Sequence, residues 1–383
     1  MPRHHVLVAG RTTRALAVSA AEAGYRVTAV DGFGDQDLRA VAEVIPVPRL
    51  LGRFRPRAAA AAAAGVSASA VAYTSNFEND PAAVADLMKE RRLLGNPPEV
   101  LVRVRNPLEL MRLLRTRGFA TPETRATPAS RTPRRTHWLL KPRRSGGGHG
   151  VRIWHAGQPV PRSGYLQERI LGLPGSIVFA ADGRRAVTLG LSRQLVGDSR
   201  VGASGFRYCG SMLASPAVPL FPNQEQLMEG ASALAATVTR EFGLVGLNGL
   251  DFIARNGVPY PIEVNPRYCA SMELVERSTG ICLFEVHARA SEGELPEPPV
   301  LNDRVHGKAI VFARHDVRLG NTRCWIGRSS LADVPRSGET IRRGHPICTV
   351  FAEARTEQAC LQRLTRRAAG IYRTAGFRKQ RAA

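Results

Sequence analysis

Residues 247–267, LNGLDFIARNGVPYPIEVNPR, constrain the fold more than any other stretch of the chain. Two apolar runs with strand-type alternation flank Arg255, Asn256 and Gly257, a hairpin signal. Strand side chains alternate between faces, so Glu263, Asn265 and Arg267 point the same way as far as the strand persists. The turn sets the register. A three-residue loop with Gly257 in the left-handed region places Asp251 on the face of Glu263, whereas a strict two-residue Asn-Gly turn places them on opposite faces. We take the first arrangement as the expectation, because it gathers three oxygen donors, Asp251, Glu263 and Asn265, around one pocket. Carboxylate and amide oxygens are hard donors that suit Mg²⁺ rather than Zn²⁺. Arg267 beside them matches two phosphate oxygens with its planar fork. The bland alternative is a solvated edge strand ending in a proline turn, so the rest of the chain has to decide.

The beginning of the chain reads strand, helix, strand: HVLVAG to Gly10, then TRALAVSAAEAGY, then RVTAVDGF with its strand ending at Asp31. This βαβ opening predicts a parallel sheet. AGRTTR carries one glycine, so no dinucleotide-binding fingerprint is present. The alanines at 58–64 are read as part of a helix, and GVSASAVAYTSNF as another strand. The loop after it, SNFENDP, lies at a strand's C-terminal end, where α/β sheets place ligands. Asn76 and Glu78 are therefore candidate substrate contacts, against the plainer reading of a polar turn. A helix starts at Asn106, an N-cap followed by Pro107, and a Pro/Thr/Arg-rich connector, ATPETRATPASRTPRR, follows it.

HWLLKPRRSGGGHGVRIW reads as strand, glycine turn and strand, with Lys141 in an otherwise apolar strand. Gly146, Gly147 and Gly148 permit close approach of backbone N–H groups to phosphates, with Lys141 as a point charge. Asp182 and Gly183 mark a further hairpin. Arg193 and Gln194 are candidates for a substrate or phosphate contact. Glu273 and Glu276 are placed on the helix after PIEVNPR, with Glu273 a candidate for a substrate amine. His149 is read as solvent-exposed and His287 as a core or helix-surface histidine. Six scattered cysteines without a CxxC pair argue against a zinc site or a disulfide framework. The net charge of +22 raises nucleic acid as a partner, but the cations are dispersed and no nucleic-acid-binding motif accompanies them. Attraction of an anionic substrate is the better use of that charge. No apolar run reaches the length of a membrane span, and the N-terminus enters a strand at once, so a cytoplasmic protein is expected.

Taken together, LLKPRRSGGGHGV, LQERILGLPGSIVF, GLNGLDFI and PIEVNPR, in this order after a βαβ opening, resemble the ATP-grasp superfamily of carboxylate–amine ligases. The resemblance implies an α/β (α+β) architecture in several parts. Residues 1–102 would be an N-terminal parallel βαβ domain and 103–295 the ATP-grasp domain. The latter divides into a glycine-loop and hinge part, 103–172, and an antiparallel-sheet metal-binding part, 173–295. Residues 296–383 would be a C-terminal β-rich segment, which returns to pack on the N-terminal domain, with a frayed tail. The resemblance also implies that Lys141 contacts ATP phosphates, that Gly146 to Gly148 form a mobile lid, and that Gln167, Glu168, Arg169 and Ile170 form the adenine hinge. Asp251, Glu263 and Asn265 would hold one or two Mg²⁺ ions, or Mn²⁺ in their place, and Arg267 would stabilise the transferring phosphoryl group or acyl-phosphate. Two positions depart from the pattern. The helix before the connector offers no second lysine, for which Arg105 is the candidate substitute, and Gly175 stands where a ribose-binding acid is often found.

The activity implied is ATP-dependent joining of a small-molecule carboxylate to an amine, in a protein that could form a homodimer. Local similarity in TSNFENDP, LLGNPPEVL and GHPICTVFAEA resembles the small-ligase group that includes tyramine–glutamate ligases of methanofuran synthesis. The competing readings are a bicarbonate-using carboxylase of the purine or biotin type, and a basic nucleic-acid-binding protein with a vestigial nucleotide site.

Overall fold

The computed structural model describes residues 3–47, 54–127 and 137–374. The βαβ opening becomes a parallel sheet of five strands in the order β3-β2-β1-β4-β5. These are β1 (Arg3–Gly10), β2 (Tyr25–Asp31), β3 (Glu43–Pro46), β4 (Ala70–Tyr73) and β5 (Arg92–Leu94). Helices α1 (Arg14–Glu22), α2 (Gln36–Arg39), α3 (Pro56–Ala62), α4 (Pro81–Leu87) and α5 (Pro98–Val104) connect and cover it. Helix α3 takes up most of the alanine run. Next comes α6 (Pro107–Thr116), capped by the Asn106 side chain, which accepts a 3.2 Å hydrogen bond from Leu108 N–H.

A four-stranded antiparallel sheet, order β6-β9-β7-β8, carries the glycine loop between β7 and β8. Its strands are β6 (Thr124–Arg125), β7 (Trp138–Pro142), β8 (Arg152–Trp154) and β9 (Gly164–Glu168). Residues 128–135 of the Pro/Thr/Arg-rich connector and the tail beyond residue 374 fall outside the described residues.

The largest sheet has eight antiparallel strands, in the order β14-β13-β10-β11-β12-β15-β19-β17. It contains β10 (Leu173–Asp182), β11 (Ala186–Val196), β12 (Tyr208–Leu213), β13 (Val245–Arg255), β14 (Val258–Asn265), β15 (Val305–Phe312), β17 (Leu331–Ala332) and β19 (Pro346–Ala354). A small ribbon of β16 (Val317–Arg318) and β18 (Thr340–Ile341) stands beside it. Both faces of the large sheet are buried, and strand alternation divides them. Ile177, Phe179 and Ala181 pack with helix α7 (Gln224–Phe242), whereas Val178 and Ala180 pack with α8 (Met272–Thr279), α9 (Leu283–Ser291) and α1. The C-terminal strands β15 and β19 continue this sheet rather than standing apart, and the last helix, α10 (Glu357–Thr374), lies against them.

The hairpin that opened the sequence argument reaches the expected facing by a different route. Arg255 pairs with Val258, so the turn is the two-residue Asn256-Gly257 type, with φ of 52° and 75°. That turn alone would set Asp251 against Ile262. A bulge in β14 absorbs Ile262, and Asp251 pairs with Glu263. The expected three-residue loop is therefore corrected: the extra residue lies inside the strand, not in the turn.

The end of β14 is clamped by residues of the parallel-sheet region. Tyr73 donates to the carbonyls of Asn96 and Pro266 at 2.8 and 3.2 Å, and the buried Asn96 amide donates to Pro266 O and Asn248 Oδ1. His287, on α9, is a core histidine. Its Nδ1 accepts from Leu247 N–H at 2.9 Å and its Nε2 lies 3.1 Å from Leu94 O, so one neutral tautomer bridges β13 and the end of β5. Burial pushes its pKa down to about 4. The folded state therefore resists a proton that the unfolded chain accepts near pH 6.5, so this contribution is complete above that pH and is lost as pH falls towards 4. A His287→Gln variant is expected to be less stable than wild type at pH 7. Its deficit should shrink by about 2–3 kcal/mol by pH 4.5 in urea unfolding.

Candidate active site

The three sheets enclose a cleft of 1260 Å³. Lys141, the glycine loop, the β9 end and the acidic face of the β13–β14 hairpin all line it. Asp251, next to the bulge, receives 2.9 Å and 3.0 Å hydrogen bonds from the amides of Gln194 and Asn265. Arg267 Nη2 donates to Asn265 Oδ1 at 3.2 Å. Glu263 faces Arg105, whose Nη1 lies 3.4 Å from it and 2.9 Å from Val264 O. The two acids differ electrostatically. Burial and the charge of Glu263 push Asp251 up to about 7. Burial also works against ionised Glu263, but Arg105, Lys141 and Arg267 outweigh it and hold that group below the usual carboxylate range. The result is a pair of facing carboxylates whose mutual repulsion a bound cation would relieve.

Among the described residues no group of three His, Cys, Asp or Glu gathers as a metal site. The oxygens that could hold a cation there are those of the two carboxylates, with the Asn265 side chain beside them. That all-oxygen set fits Mg²⁺, which keeps part of its shell for water and phosphate.

Lys141 sits on β7 and donates to Gln167 Oε1 at 3.0 Å. The glycine loop is drawn over the cleft: Tyr208 N–H donates to Gly147 O at 3.1 Å, and a Cβ on Gly148 would lie 1.8 Å from Phe206 O. Gly147 and Gly148 have φ of 62° and 76°, so glycine is required twice over here. Arg105 joins the start of this loop to the acids, since Nη2 donates to Ser145 O at 3.2 Å. Gln167 to Ile170 border the same cleft, with Leu139, Ile170, Ile253 and Ile262 as apolar walls. The Gly175 departure has a steric cause. A side chain there would meet the Phe252 ring at 2.5 Å and Phe221 at 2.9 Å.

Other candidates fall elsewhere. Asn76 lines the cleft in a left-handed conformation (φ 85°). Glu78 does not line it: it is buried and forms a 2.8 Å ion pair with Arg267, so it positions that guanidinium. Arg193, one residue before Gln194 and hence on the opposite face of β11, pairs with Glu357 on α10. Glu273 is neither a cleft residue nor a helix-surface residue. It is buried between Arg14 of α1 and Lys308 of β15, which together hold it well below the usual range despite its burial. Glu276 binds Ser19 and Tyr268 at the same packing face.

Sequence reasoning missed Arg14, Asp35, Lys308 and Asp333, all of which line the far end of the cleft. Asp35 had a usable signal: it stands in the loop after β2, another strand C-terminal end of the parallel sheet. Lysines and arginines outnumber acids along the cleft lining, which gives it the same sign of charge as the rest of the chain and suits a polyanion.

Residues 104–271 match the family model of the ATP-grasp domain. A curated relative, an uncharacterized protein of Methanocaldococcus jannaschii, is 28% identical over 116 residues, which are 30% of this chain and 28% of that one. Among solved structures, Rhizobium etli pyruvate carboxylase has a TM-score of 0.74 at 16% identity, covering 96% of this chain and 37% of that chain. The biotin carboxylase domain of Hydrogenobacter thermophilus 2-oxoglutarate carboxylase, solved with MgADP and bicarbonate, gives 0.72 at 16% identity over 94% and 88% of the two chains. An L-amino acid ligase from Bacillus licheniformis gives 0.66 at 17% identity over 97% and 98%. The chain thus spans only a minor part of the curated relative and of pyruvate carboxylase, and the likeness to the solved structures establishes the fold. No helix among the described residues is long and apolar enough to cross a membrane.

Proposed function

We propose that this chain, which carries an ATP-grasp domain, is an ATP-dependent ligase that activates a small-molecule carboxylate as its acyl-phosphate and joins it to an amine. The observation that carries this reading is the pairing of Asp251 with Glu263 across the bulged hairpin, opposite Lys141 in one cleft. Asp251 and Glu263 would hold Mg²⁺, assisted by Asn265, and the ion would supply charge neutralisation for the triphosphate. Lys141 and the N–H groups of the glycine loop bind and orient the phosphates, and the loop excludes water. Arg267, fixed by Glu78, meets the charge that spreads over the transferring phosphoryl oxygens. The carboxylate oxygen attacks the γ-phosphorus and ADP leaves. The amine then attacks the acyl carbon, and phosphate leaves with formation of the amide. No protein nucleophile is needed.

The test is ADP release by the full chain with Mg²⁺, screened across carboxylates and amines singly and in pairs. Turnover that requires both partners is expected, and turnover with bicarbonate as the sole acid would favour the carboxylase reading. Lys141→Ala is expected to lower ADP release by about 10²-fold, with KM for ATP raised. Unchanged kinetics would remove Lys141 from the phosphate site.

A further inference from the structure

Beyond Arg267 the cleft runs into a pit formed by the loop after β2, the start of α1 and residues 333–349. Asp35 lines this pit and is only 7% exposed. An aspartate immediately before a helix is ordinarily its N-cap. Asp35 precedes α2 but makes no capping hydrogen bond. The N–H groups of Phe33 and Gly34 are taken by Asp31, at 2.6 and 2.7 Å. Among the described residues no hydrogen bond or ion pair reaches the Asp35 carboxylate.

The two buried cations of the pit, Arg14 and Lys308, are already engaged. Arg14 is held by Glu273 and by Asp333, the latter at 3.0 Å, while Lys308 is held by Glu273 at 2.6 Å and by Ala270 O. Asp37 is used by the backbone N–H groups of Asp333 and Val334, at 2.8 and 2.9 Å. Asp333 also accepts from the Thr349 hydroxyl. Asp35 thus remains a largely buried acid whose unpartnered carboxyl opens on the pit, with three acids near it and the already shared Arg14 as the cation that bears on it. Burial, then Asp333, Asp31 and Asp37, push its pKa well up. Ionising such a group without a counter-charge is costly, and a cation seated against it would offset that cost.

We propose that Asp35, backed by Asp333, seats the alkylammonium group of a cationic amine substrate. This rests on the ligase reading in one respect, that the ligand is a substrate of the same cleft. In a chain of net charge +22 a cation gains nothing from long-range attraction, so its binding would have to come from this local acid.

The experiment is isothermal titration of the full chain, in the presence of MgADP, with 1,4-diaminobutane, L-lysine, succinate and 1,4-butanediol. At least one of the two amines is expected to bind and to weaken ten-fold or more in Asp35→Asn, with MgADP affinity unchanged. The exposed Asp86→Asn variant, which makes the same charge change elsewhere, should leave amine binding as in wild type. Asp35→Asn should also raise the melting temperature of the unliganded chain, the reverse of losing a structural acid. Should Asp35→Asn not fold, Asp35→Ser carries the same expectations. Failure of both amines to bind wild type, equal amine affinity in the variant, or preference for succinate would each overturn the proposal. Failure of wild type to bind MgADP would instead sink the ligase reading, and the amine titration without nucleotide still tests Asp35.

Discussion

Glu263→Gln is expected to lower ATP-dependent turnover by about two to three powers of ten, with little change in folding. Gln is nearly isosteric and still offers Arg105 an oxygen acceptor, so the variant removes charge rather than packing. That charge raises Asp251 and, by the present reading, grips the divalent ion. Without it Asp251 ionises more readily, which restores part of the local negative charge. The single variant should therefore respond to excess Mg²⁺ with a higher apparent KM for the metal, as should Asp251→Asn. The double variant Asp251→Asn/Glu263→Gln should not recover at any Mg²⁺ concentration. ADP release measured against Mg²⁺, with chelation by EDTA as the limiting case, checks this. Wild-type rates in either single variant would refute the metal assignment.

The second large effect is expected at Arg267. In Arg267→Met the buried Glu78 loses its ion-pair partner, and its carboxylate would stand uncompensated beside Tyr73. Removing one partner of a buried pair costs about 3–5 kcal/mol, far more than the pair itself contributes. Urea unfolding should register that loss. Adding Glu78→Leu should return most of the stability, because neither charge then remains to be desolvated. Turnover should not return, since the guanidinium proposed to meet the phosphoryl oxygens is still missing. Restoration of both by the double variant would mean that Arg267 serves packing alone.

The features legible in the sequence were those with local grammar. The βαβ opening, the Asn106 cap, the glycine loop between two strands and the Asn-Gly turn each follow from residue type and short-range spacing. The common face of Asp251 and Glu263 was expected, but for a reason that the structure replaces. Nothing in PYPIEV marks Ile262 as the bulged residue, because the bulge is selected by long-range pairing across the sheet. Glu78 and Glu273 were misjudged for a related reason. Both looked like solvent-facing or ligand-facing acids, yet their partners, Arg267 for the first and Arg14 and Lys308 for the second, lie far along the chain. Charge complementarity across such separations leaves no short-range pattern. The same holds for Asp35, whose significance lies in the partner it lacks.

Asp37, near the beginning of the chain, grips the backbone of residues 333 and 334, and β15 and β19 are laid onto a sheet begun by β10. A ribosome making this protein therefore releases the parallel sheet, the glycine loop and the acidic hairpin long before it releases the segment that closes the pit around Asp35. Until then the exposed edge of β12 and the uncovered side of α1 wait for polypeptide not yet synthesised. The acidic-hairpin half and the Asp35 half of the cleft are thus completed at different moments, the second only after residues 333–349 have been made.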